Sequence, residues 1–302
     1  MNASARHPAA GMALGVLAVA LFGATLPITR WTLGTGSGGD APAMSALFIT
    51  FSRVVLAAAV SALCLLAVRA RWPTRQEWGP LAVAAAGNAV LYPLSLALAL
   101  REQTAAHVAV ITALLPLATA AAAALAGGAD PSTAAGQWRF WLCAVASAIV
   151  VVVFSLQRSG QTFILVADDL IVAGGVLAAA VGYVQGAKLT RAMGAERAIC
   201  GVTLLTLPVS LPITLATWPT GPVPAPAWGG LVYLGLVSMW AAFFAWYRAL
   251  DWGGPLRVSQ TQAFQPFFSI ALAWPLLGEA PDGYTLAFAA AVVALVVVGT
   301  RR

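Results

Sequence analysis

The chain has 302 residues, of which 61% are hydrophobic and only 9% are charged, and its mean hydropathy is +0.87. Soluble domains carry about 25% charged residues, and a chain with so few charges cannot cover a globular surface with groups that water solvates. The composition therefore excludes a soluble globular protein. It predicts a membrane protein whose surface is covered largely by the lipid bilayer.

The net charge of +6 would suggest a nucleic-acid partner in a soluble protein. Here the charges lie in short clusters between apolar runs, so we interpret them as topology signals and expect no nucleic acid. Cys64, Cys143 and Cys200 are odd in number and lie within apolar runs. His7 and His107 are a hundred residues apart. We therefore expect no disulfide framework, no metal site and no cofactor.

Ten apolar runs are long enough to cross a bilayer, which takes about 20 residues each. They lie at 11–31, 44–68, 79–100, 104–126, 138–157, 167–188, 198–218, 228–248, 254–277 and 284–300. A secretory signal peptide is the alternative for the first run. That run is long for a signal core and lacks a small-x-small cleavage site, so we favour a spanning helix.

The basic residues are distributed unequally between the predicted loops. With the N-terminus in the cytoplasm, twelve Lys and Arg fall on the inner side and only Arg30, Arg101 and Arg158 on the outer side. Cytoplasmic loops are enriched in Lys and Arg. The pattern predicts ten spanning helices with both termini cytoplasmic, in a bacterial inner membrane.

An internal repeat emerges when the sequence is shifted by 150 residues, because 94–131 then aligns with 244–281 without gaps. Matching positions are Pro116 with Pro266, Gly128 with Gly278, and Pro131 with Pro281. Each copy, 1–158 and 159–302, holds five predicted spans, and an odd number inverts the second copy. The predicted fold is an all-α polytopic membrane protein of two inverted five-helix repeats. Such repeats are typical of transporters with a site at the midplane, although duplication that only built a stable bundle is an alternative.

Four segments carry a resemblance to a known transporter family. They read FGATLPITRW (22–31), ITALLPL (111–117), YLGLVSMWAAFFAWYRAL (233–250) and QPFFSIALAWPLLGE (265–279). Together they resemble the drug/metabolite transporter (DMT) superfamily and its EamA-type branch, over essentially the whole chain. The first half departs from that pattern, with AGGAD (126–130) where the family has a Gly-Glu pair. The Trp and Phe content of the second half is most similar to YddG-type exporters of aromatic amino acids, and this resemblance implies solute export.

Polar groups in hydrocarbon cost several kcal/mol each unless they are satisfied, so polar side chains that share a mid-span face indicate a cavity. Asn88, Tyr92 and Ser95 share one helical face by their spacing, as do Gln262 and Gln265. The 150-residue shift also pairs two further polar positions with members of these faces, Ser238 with Asn88 and Thr112 with Gln262. The alternative is that such residues only join helices to one another.

Aromatic side chains could wall the same cavity and stack on a flat substrate. Candidates are Tyr183, Trp240 and Phe244, together with Phe22, Tyr247 and Phe264; packing in the core or against lipid is the alternative for each. The predicted substrate-binding residues are therefore Asn88, Tyr92, Ser95, Thr112, Tyr183, Ser238, Trp240, Phe244, Gln262 and Gln265.

No carboxylate lies near the middle of a predicted span, whereas proton-driven pumps usually bury one. We expect Arg53 to snorkel or to pair with an outer acid, and His107 to satisfy a local hydrogen bond. Facilitated or loosely coupled transport is therefore favoured. An amino-acid zwitterion could be held by amide and hydroxyl dipoles, whereas a phosphorylated substrate would need mid-span Lys or Arg.

The sequence thus predicts a secondary transporter that exports small organic solutes by alternating access, and the predicted substrates are aromatic and other amino acids. The alternatives are an exporter of another metabolite or drug-like compound, and a proton-coupled antiporter. An intramembrane enzyme would need a motif such as HExxH or a Ser–His pair, and none is present. We expect no catalytic residues, and we expect a small-molecule substrate and the lipid bilayer as partners. The predicted fold is compatible with a monomer.

Overall fold

The computed structural model describes residues 8–34, 43–67, 69–126, 134–158, 167–253 and 258–300, and every regular element within these ranges is helical. The first half contains α1 (Pro8–Gly23), α2 (Thr25–Leu33), α3 (Ala46–Ala67), α4 (Trp78–Ala84), α5 (Tyr92–Ala99), α6 (Ala105–Thr112), α7 (Leu115–Leu125) and α8 (Ala134–Arg158). The second half contains α9 (Ala167–Met193), α10 (Ala195–Ala216), α11 (Ala225–Val232), α12 (Ala242–Gly253), α13 (Gln265–Leu277) and α14 (Gly283–Thr300).

Seven continuous helical stretches in the described residues are long and apolar enough to cross a membrane. They are Ala9–Leu33, Ala46–Ala67, Trp78–Ala99, Ala105–Leu125, Ala167–Met193, Ala195–Ala216 and Ala225–Ala249. Shorter apolar helices run over Trp141–Phe154 and Gly283–Val298. The first residues of the predicted run 254–277 lie outside the described ranges, and both chain termini lie outside them as well. The predicted all-helical, multi-span class agrees with these helices, while the count of ten and the position of the termini stay predictions.

The first spanning stretch is broken at Ala24, between α1 and α2. Pro27 has no N–H, so the carbonyl of Gly23, four residues earlier, loses its intrahelical donor. The Oγ of Ser269 on α13 donates to this carbonyl at 2.7 Å, and the hydroxyl of Tyr233 donates to the nearby carbonyl of Leu21 at 2.9 Å. Neighbouring helices thus satisfy the backbone that the proline leaves unpaired, as hydrocarbon requires.

Two spanning stretches contain a π-helical segment, in which hydrogen bonds join residues five apart and the turn is wide. Segment π1 (Ala85–Leu91) connects α4 to α5, and segment π2 (Tyr233–Ala241) connects α11 to α12. A shift of 150 residues carries π1 onto 235–241, which lies inside π2. The wider π-helical turn therefore occurs at equivalent positions in the two halves.

The helices pack in pairs that join the two halves. The α3 helix packs on α10, α6 on α13, α8 on α14, α1 on α12, and the stretch from α4 to α5 on α9. Two apolar cores fill the bundle, one around Leu33 and Phe48 and the other around Leu189 and Met239.

Charged side chains distinguish the two ends of the bundle. We call the end that carries Arg30, Asp169 and Glu279 the acidic end, and the end that carries Arg71, Glu77, Glu196, Arg197 and Arg248 the basic end. Each core lies toward one of these ends, and the site described next lies where the cores meet.

Candidate functional site

A cavity lined by both polar and apolar side chains lies at mid-height, between the two apolar cores. Its lining comes from both halves of the chain: Phe22, Thr25, Leu26, Arg53, Asn88, Tyr92, Pro93, Leu96, Tyr183, Ser238, Phe243 and Gln265. The space that the centre of a water molecule can occupy is about 30 Å³. A single water needs roughly 10–15 Å³ by this measure, so the cavity admits water in this conformation and is too small for an amino acid. A larger solute enters only after helices move apart.

Ser238 on π2 is the centre of a buried hydrogen-bond network. Nη2 of Arg53 donates to its Oγ at 3.1 Å, and the hydroxyls of Ser238 and Thr25 lie 2.8 Å apart. A hydroxyl can accept and donate at the same time, so Ser238 accepts from the guanidinium while either hydroxyl donates to the other. The network ties α2, α3 and π2 together at the cavity wall.

Arg53 is 5% exposed and lines the cavity, so the expectation that it would snorkel or pair with an outer acid is wrong. It lies seven residues into α3, about 10 Å along the helix axis at 1.5 Å per residue, on the face that meets π2. No carboxylate is among the lining residues. Its Nε has no hydrogen-bond partner among the described residues.

Asn88 forms the opposite wall on π1, where glycines of α9 allow a close approach. A Cβ at Gly182 would lie 2.6 Å from the Asn88 Oδ1, and one at Gly87 would lie 2.3 Å from the backbone oxygen of Ala178. Small residues let membrane helices pack closely. The Asn88 Oδ1 is buried and has no partner among the described residues.

Aromatic side chains close the cavity toward the basic end. We call this group the aromatic floor; its members are Phe22, Tyr183, Phe243, Trp246 and Tyr247. Phe243 is its centre, with ring centroids 5.0 Å from Phe22, 6.1 Å from Tyr183 and 6.0 Å from Tyr247. Edge-on and tilted ring pairs of this kind are favourable contacts. The floor separates the cavity from the charges at the basic end.

An ion pair closes the acidic end. Nε of Arg30, in the last turn of α2, lies 2.8 Å from Oε1 of Glu279, just beyond α13, and both side chains are 14% exposed. The other carboxylate oxygen accepts the backbone N–H of Ala105 at 3.0 Å. Arg30 also donates from Nη1 to the backbone oxygen of Gln103. The pair therefore joins the ends of α2 and α13 to the start of α6.

A second buried pair lies at the same end. Nε2 of His107 on α6 is 2.8 Å from Oδ1 of Asp169 on α9, and both side chains are buried. The His107 ring lies against Phe154, with centroids 4.9 Å apart. Asp169 is therefore buried although it is only the third residue of α9, and His107 does find a hydrogen-bond partner.

A separate cluster organises the loop between α3 and α4 at the basic end. Oε2 of Glu77 accepts the backbone N–H of Thr74 at 2.6 Å, and Oε1 lies 3.2 Å from Nη2 of Arg71. The pKa of Glu77 is lowered, first by the hydrogen bond from the Thr74 backbone and also by the charge of Arg71. Nη2 of Arg197 donates to the Arg71 backbone oxygen at 3.1 Å, which links this loop to α10.

Residues 167–300 match the EamA-like transporter family. The uncharacterized transporter YdeK of Bacillus subtilis (strain 168) is 33% identical over 290 residues, which cover 95% of this chain and 96% of YdeK. The chain belongs to the EamA-like transporter family. A solved crystal structure has the same fold, with a TM-score of 0.63 and 18% identity over 98% of this chain and 99% of that chain. The protein is therefore a multi-pass membrane transporter of the DMT kind, as the sequence resemblance predicts at this level.

In this EamA-like transporter, half of the predicted substrate-binding residues come together at the cavity: Asn88, Tyr92, Tyr183, Ser238 and Gln265. Three predicted polar residues lie elsewhere. Ser95 packs against Gly175 and donates to the backbone oxygen of Tyr92 at 2.8 Å. Thr112 donates to the backbone oxygen of Ala109 at 3.1 Å. Gln262 is buried in the 3₁₀ turn Ser259–Phe264, outside the lining.

The aromatic residues that line the cavity differ from the predicted ones because of the π-helical segment π2. Trp240 and Phe244 do not line the cavity; they stack on each other at 5.6 Å, and the guanidinium of Arg248 lies 5.6 Å from the Phe244 ring centroid. The wide π-helical turn changes the angular position of every later residue relative to Ser238. Phe243 consequently lines the cavity where Phe244 was predicted to do so.

The most informative residue that sequence reasoning missed is Arg53. A charged residue inside a spanning helix of a transporter marks a substrate or ion path by default, and that signal was available from the sequence. Thr25 and Phe243 gave no such signal, since hydroxyls and aromatic rings are common throughout these spans. The cavity of this chain is thus lined by one cation, by two amides, by hydroxyl groups and by rings of the aromatic floor, as far as the described residues show.

Proposed function

We propose that this protein is a secondary transporter that exports small organic solutes by alternating access around the central cavity. The leading candidates for the substrate are aromatic and other amino acids. The observation that carries the proposal is the cavity itself, buried at mid-height and lined by polar side chains from both halves. Asn88 on π1 and Ser238 on π2 occupy positions 150 residues apart. Transporters with inverted repeats place their site at this level.

The packing of the helices supports two inverted five-helix repeats divided at 158/159. The α3–α10 and α8–α14 contacts each join equivalent helices, and the α6–α13 contact joins the stretch 105–125 to the stretch onto which the 150-residue shift carries it. The contact of α1 with α12 is matched by that of α9 with the α4–α5 stretch. A two-fold relation between the halves produces this set of pairs. The ten-span topology with cytoplasmic termini, in a bacterial inner membrane, belongs to the same proposal.

The two closures at opposite ends supply the gates that alternating access needs. The ion pair of Arg30 with Glu279 closes one end, and the aromatic floor around Phe243 closes the other. Since the space inside is smaller than an amino acid, opening either end is the step that admits a solute.

Flux of radiolabelled tryptophan, phenylalanine and threonine into proteoliposomes that contain only this protein tests the proposal, with no ion or pH gradient imposed. We expect uptake to equilibrium that favours the aromatic amino acids and falls in Tyr92→Ala. The matched control is Phe244→Ala, which removes an aromatic ring from the outside of the cavity wall and should retain uptake. Absence of flux for all three amino acids, with or without a gradient, would remove this substrate class.

The buried pair of His107 with Asp169 favours a second candidate, a proton-coupled antiporter. A carboxylate hydrogen-bonded to an imidazole inside a bundle is the kind of group that such pumps use. A flux that requires a pH gradient, and loses that requirement in His107→Asn, would support coupling. A flux that is indifferent to the gradient in the unaltered protein supports facilitated transport.

A further inference from the structure

The cavity of this transporter carries a positive charge that no carboxylate among the described lining residues neutralises. Arg53 is the one charged residue in the lining of the cavity, as far as the described residues show. Two carboxylates at the acidic end, Glu279 and Asp169, are engaged with Arg30 and His107. A buried charge without a partner is costly, and at this depth in a bilayer it is retained where it serves a substrate or ion path.

The guanidinium has unused donor capacity. An arginine has five N–H donors in a planar fork that matches a carboxylate. In this structure Nη2 binds the Ser238 Oγ at 3.1 Å, and the buried Nε has no partner within the described residues. Ser238 is itself fixed by its 2.8 Å contact with Thr25, so the guanidinium is held in place while donors remain open.

Acceptors lie in the same lining. The amides of Asn88 and Gln265 both line the cavity. The Asn88 Oδ1 packs against Gly182 and has no hydrogen-bond partner in the described part of the chain, so a rotation of this side chain offers the unpaired oxygen to a ligand. Amide oxygens accept hydrogen bonds from an ammonium group. One cation and two amides match the two ends of an amino acid better than they match a doubly charged phosphate, which would call for a second cation.

We propose that Arg53 is a carboxylate-binding residue, and that the substrate carries a single carboxylate, as an α-amino acid or a simple aromatic acid does, while amines and organic cations are rejected. The inference rests on the proposed function, because it takes the cavity as the substrate site. It replaces the expectation that amide and hydroxyl dipoles alone hold a zwitterion.

Ligand binding to the purified full-length protein tests this assignment without requiring transport. Thermal unfolding is followed with increasing phenylalanine, 3-phenylpropionate, phenethylamine or phenyl phosphate. We expect the two carboxylates to raise the Tm and phenethylamine to leave it unchanged, with phenyl phosphate weaker than the carboxylates. Arg53→Gln should weaken carboxylate binding at least tenfold. Arg248→Gln removes an arginine that lies outside the cavity and should bind carboxylates as the unaltered protein does.

Arg53→Lys provides a variant that keeps the charge if the glutamine variant does not fold. It should still prefer carboxylates to phenethylamine, with a weaker affinity because the bidentate fork is lost. Binding of phenethylamine as tight as that of 3-phenylpropionate, tighter binding of phenyl phosphate, binding of none of the four ligands, or full carboxylate affinity in Arg53→Gln would each overturn the assignment.

The flux assay in proteoliposomes separates this inference from the function on which it rests. Carboxylates that bind through Arg53 but do not cross the membrane would refute the proposed transport of this class and leave the binding site standing. Phenethylamine that crosses as fast as phenylalanine would refute the role of Arg53 and leave the transporter standing.

Discussion

Replacing Glu279 by glutamine tests whether the ion pair at the acidic end holds that end closed. The change removes the negative charge that lies 2.8 Å from Nε of Arg30 but keeps an oxygen that can accept the Ala105 N–H. Exposed ion pairs contribute about 0–1 kcal/mol, whereas breaking a fully buried pair costs about 3–5 kcal/mol. Both side chains are 14% exposed, so an intermediate value of about 2 kcal/mol applies. Because about 1.4 kcal/mol is a factor of ten in a population ratio, the open state should rise about 30-fold.

A cysteine at position 26 reports this opening. Leu26 lines the cavity and is 2% exposed, so Leu26→Cys should react slowly with a membrane-impermeant maleimide while the acidic end is closed. The natural Cys64, Cys143 and Cys200 are first replaced by alanine. Labelling should accelerate toward 30-fold in Glu279→Gln, since reaction follows the open population.

The control for this experiment is Glu102→Gln, which removes an exposed carboxylate near the same end of the bundle. It changes the net charge equally without touching the Arg30–Glu279 pair, so the labelling rate should stay at the parent value. A rate in Glu279→Gln within twofold of the parent would refute the idea that the ion pair keeps the cavity closed.

Three further predictions concern stability, each measured as a Tm in detergent. Gly182→Ala should cost about 1–3 kcal/mol by overpacking, whereas Gly174→Ala on the same helix, whose Cβ would meet nothing within 4 Å, should be neutral. Ser269→Ala should cost about 1 kcal/mol by unpairing the broken helix, while Ser147→Ala, which removes a buried hydroxyl without a partner among the described residues, should be neutral or stabilising. The pKa of Glu77 is lowered in the folded state, so the unaltered protein should have a higher Tm than Glu77→Gln. This difference in Tm should be full above the ordinary carboxyl pKa of about 4.3 and should vanish as the pH falls through the lowered pKa. A difference in Tm that grows on acidification would contradict this prediction.

Sequence patterns predicted the class and part of the lining, because both depend on local composition. A run of apolar residues must lie in lipid, and Asn88, Tyr92 and Ser238 are polar residues inside such runs. Their burial at one cavity follows from the cost of leaving them in hydrocarbon. The aromatic lining of the cavity could not be predicted in the same way, because a regular α-helix was assumed where the structure has π2. The wider turn of π2 places Phe243, and not Phe244, in the cavity wall.

Partners across the bundle were equally inaccessible from sequence. Arg53 could be recognised as a charge within an apolar run, but its contact with Ser238 joins residues 185 positions apart. The pair of His107 with Asp169 joins residues 62 positions apart, and Asp169 is the third residue of its helix, a place where an exposed acid is the ordinary expectation. Such pairings are set by how α3, α6 and α9 pack, which hydropathy does not encode.

Under the proposed alternating access, the repeat implies that the two ends of the transporter would close by different chemistry. The 150-residue shift that carries Gly128 onto Gly278 carries Ala129 onto Glu279, and a methyl side chain cannot form an ion pair. The closure toward the basic end therefore depends on apolar and ring contacts around Phe243. Salt screens an ion pair and leaves apolar contacts intact or strengthens them. In the proposed mechanism, the medium on one side of the membrane would thus shift the balance between the two openings without any change at the proposed binding residues between them.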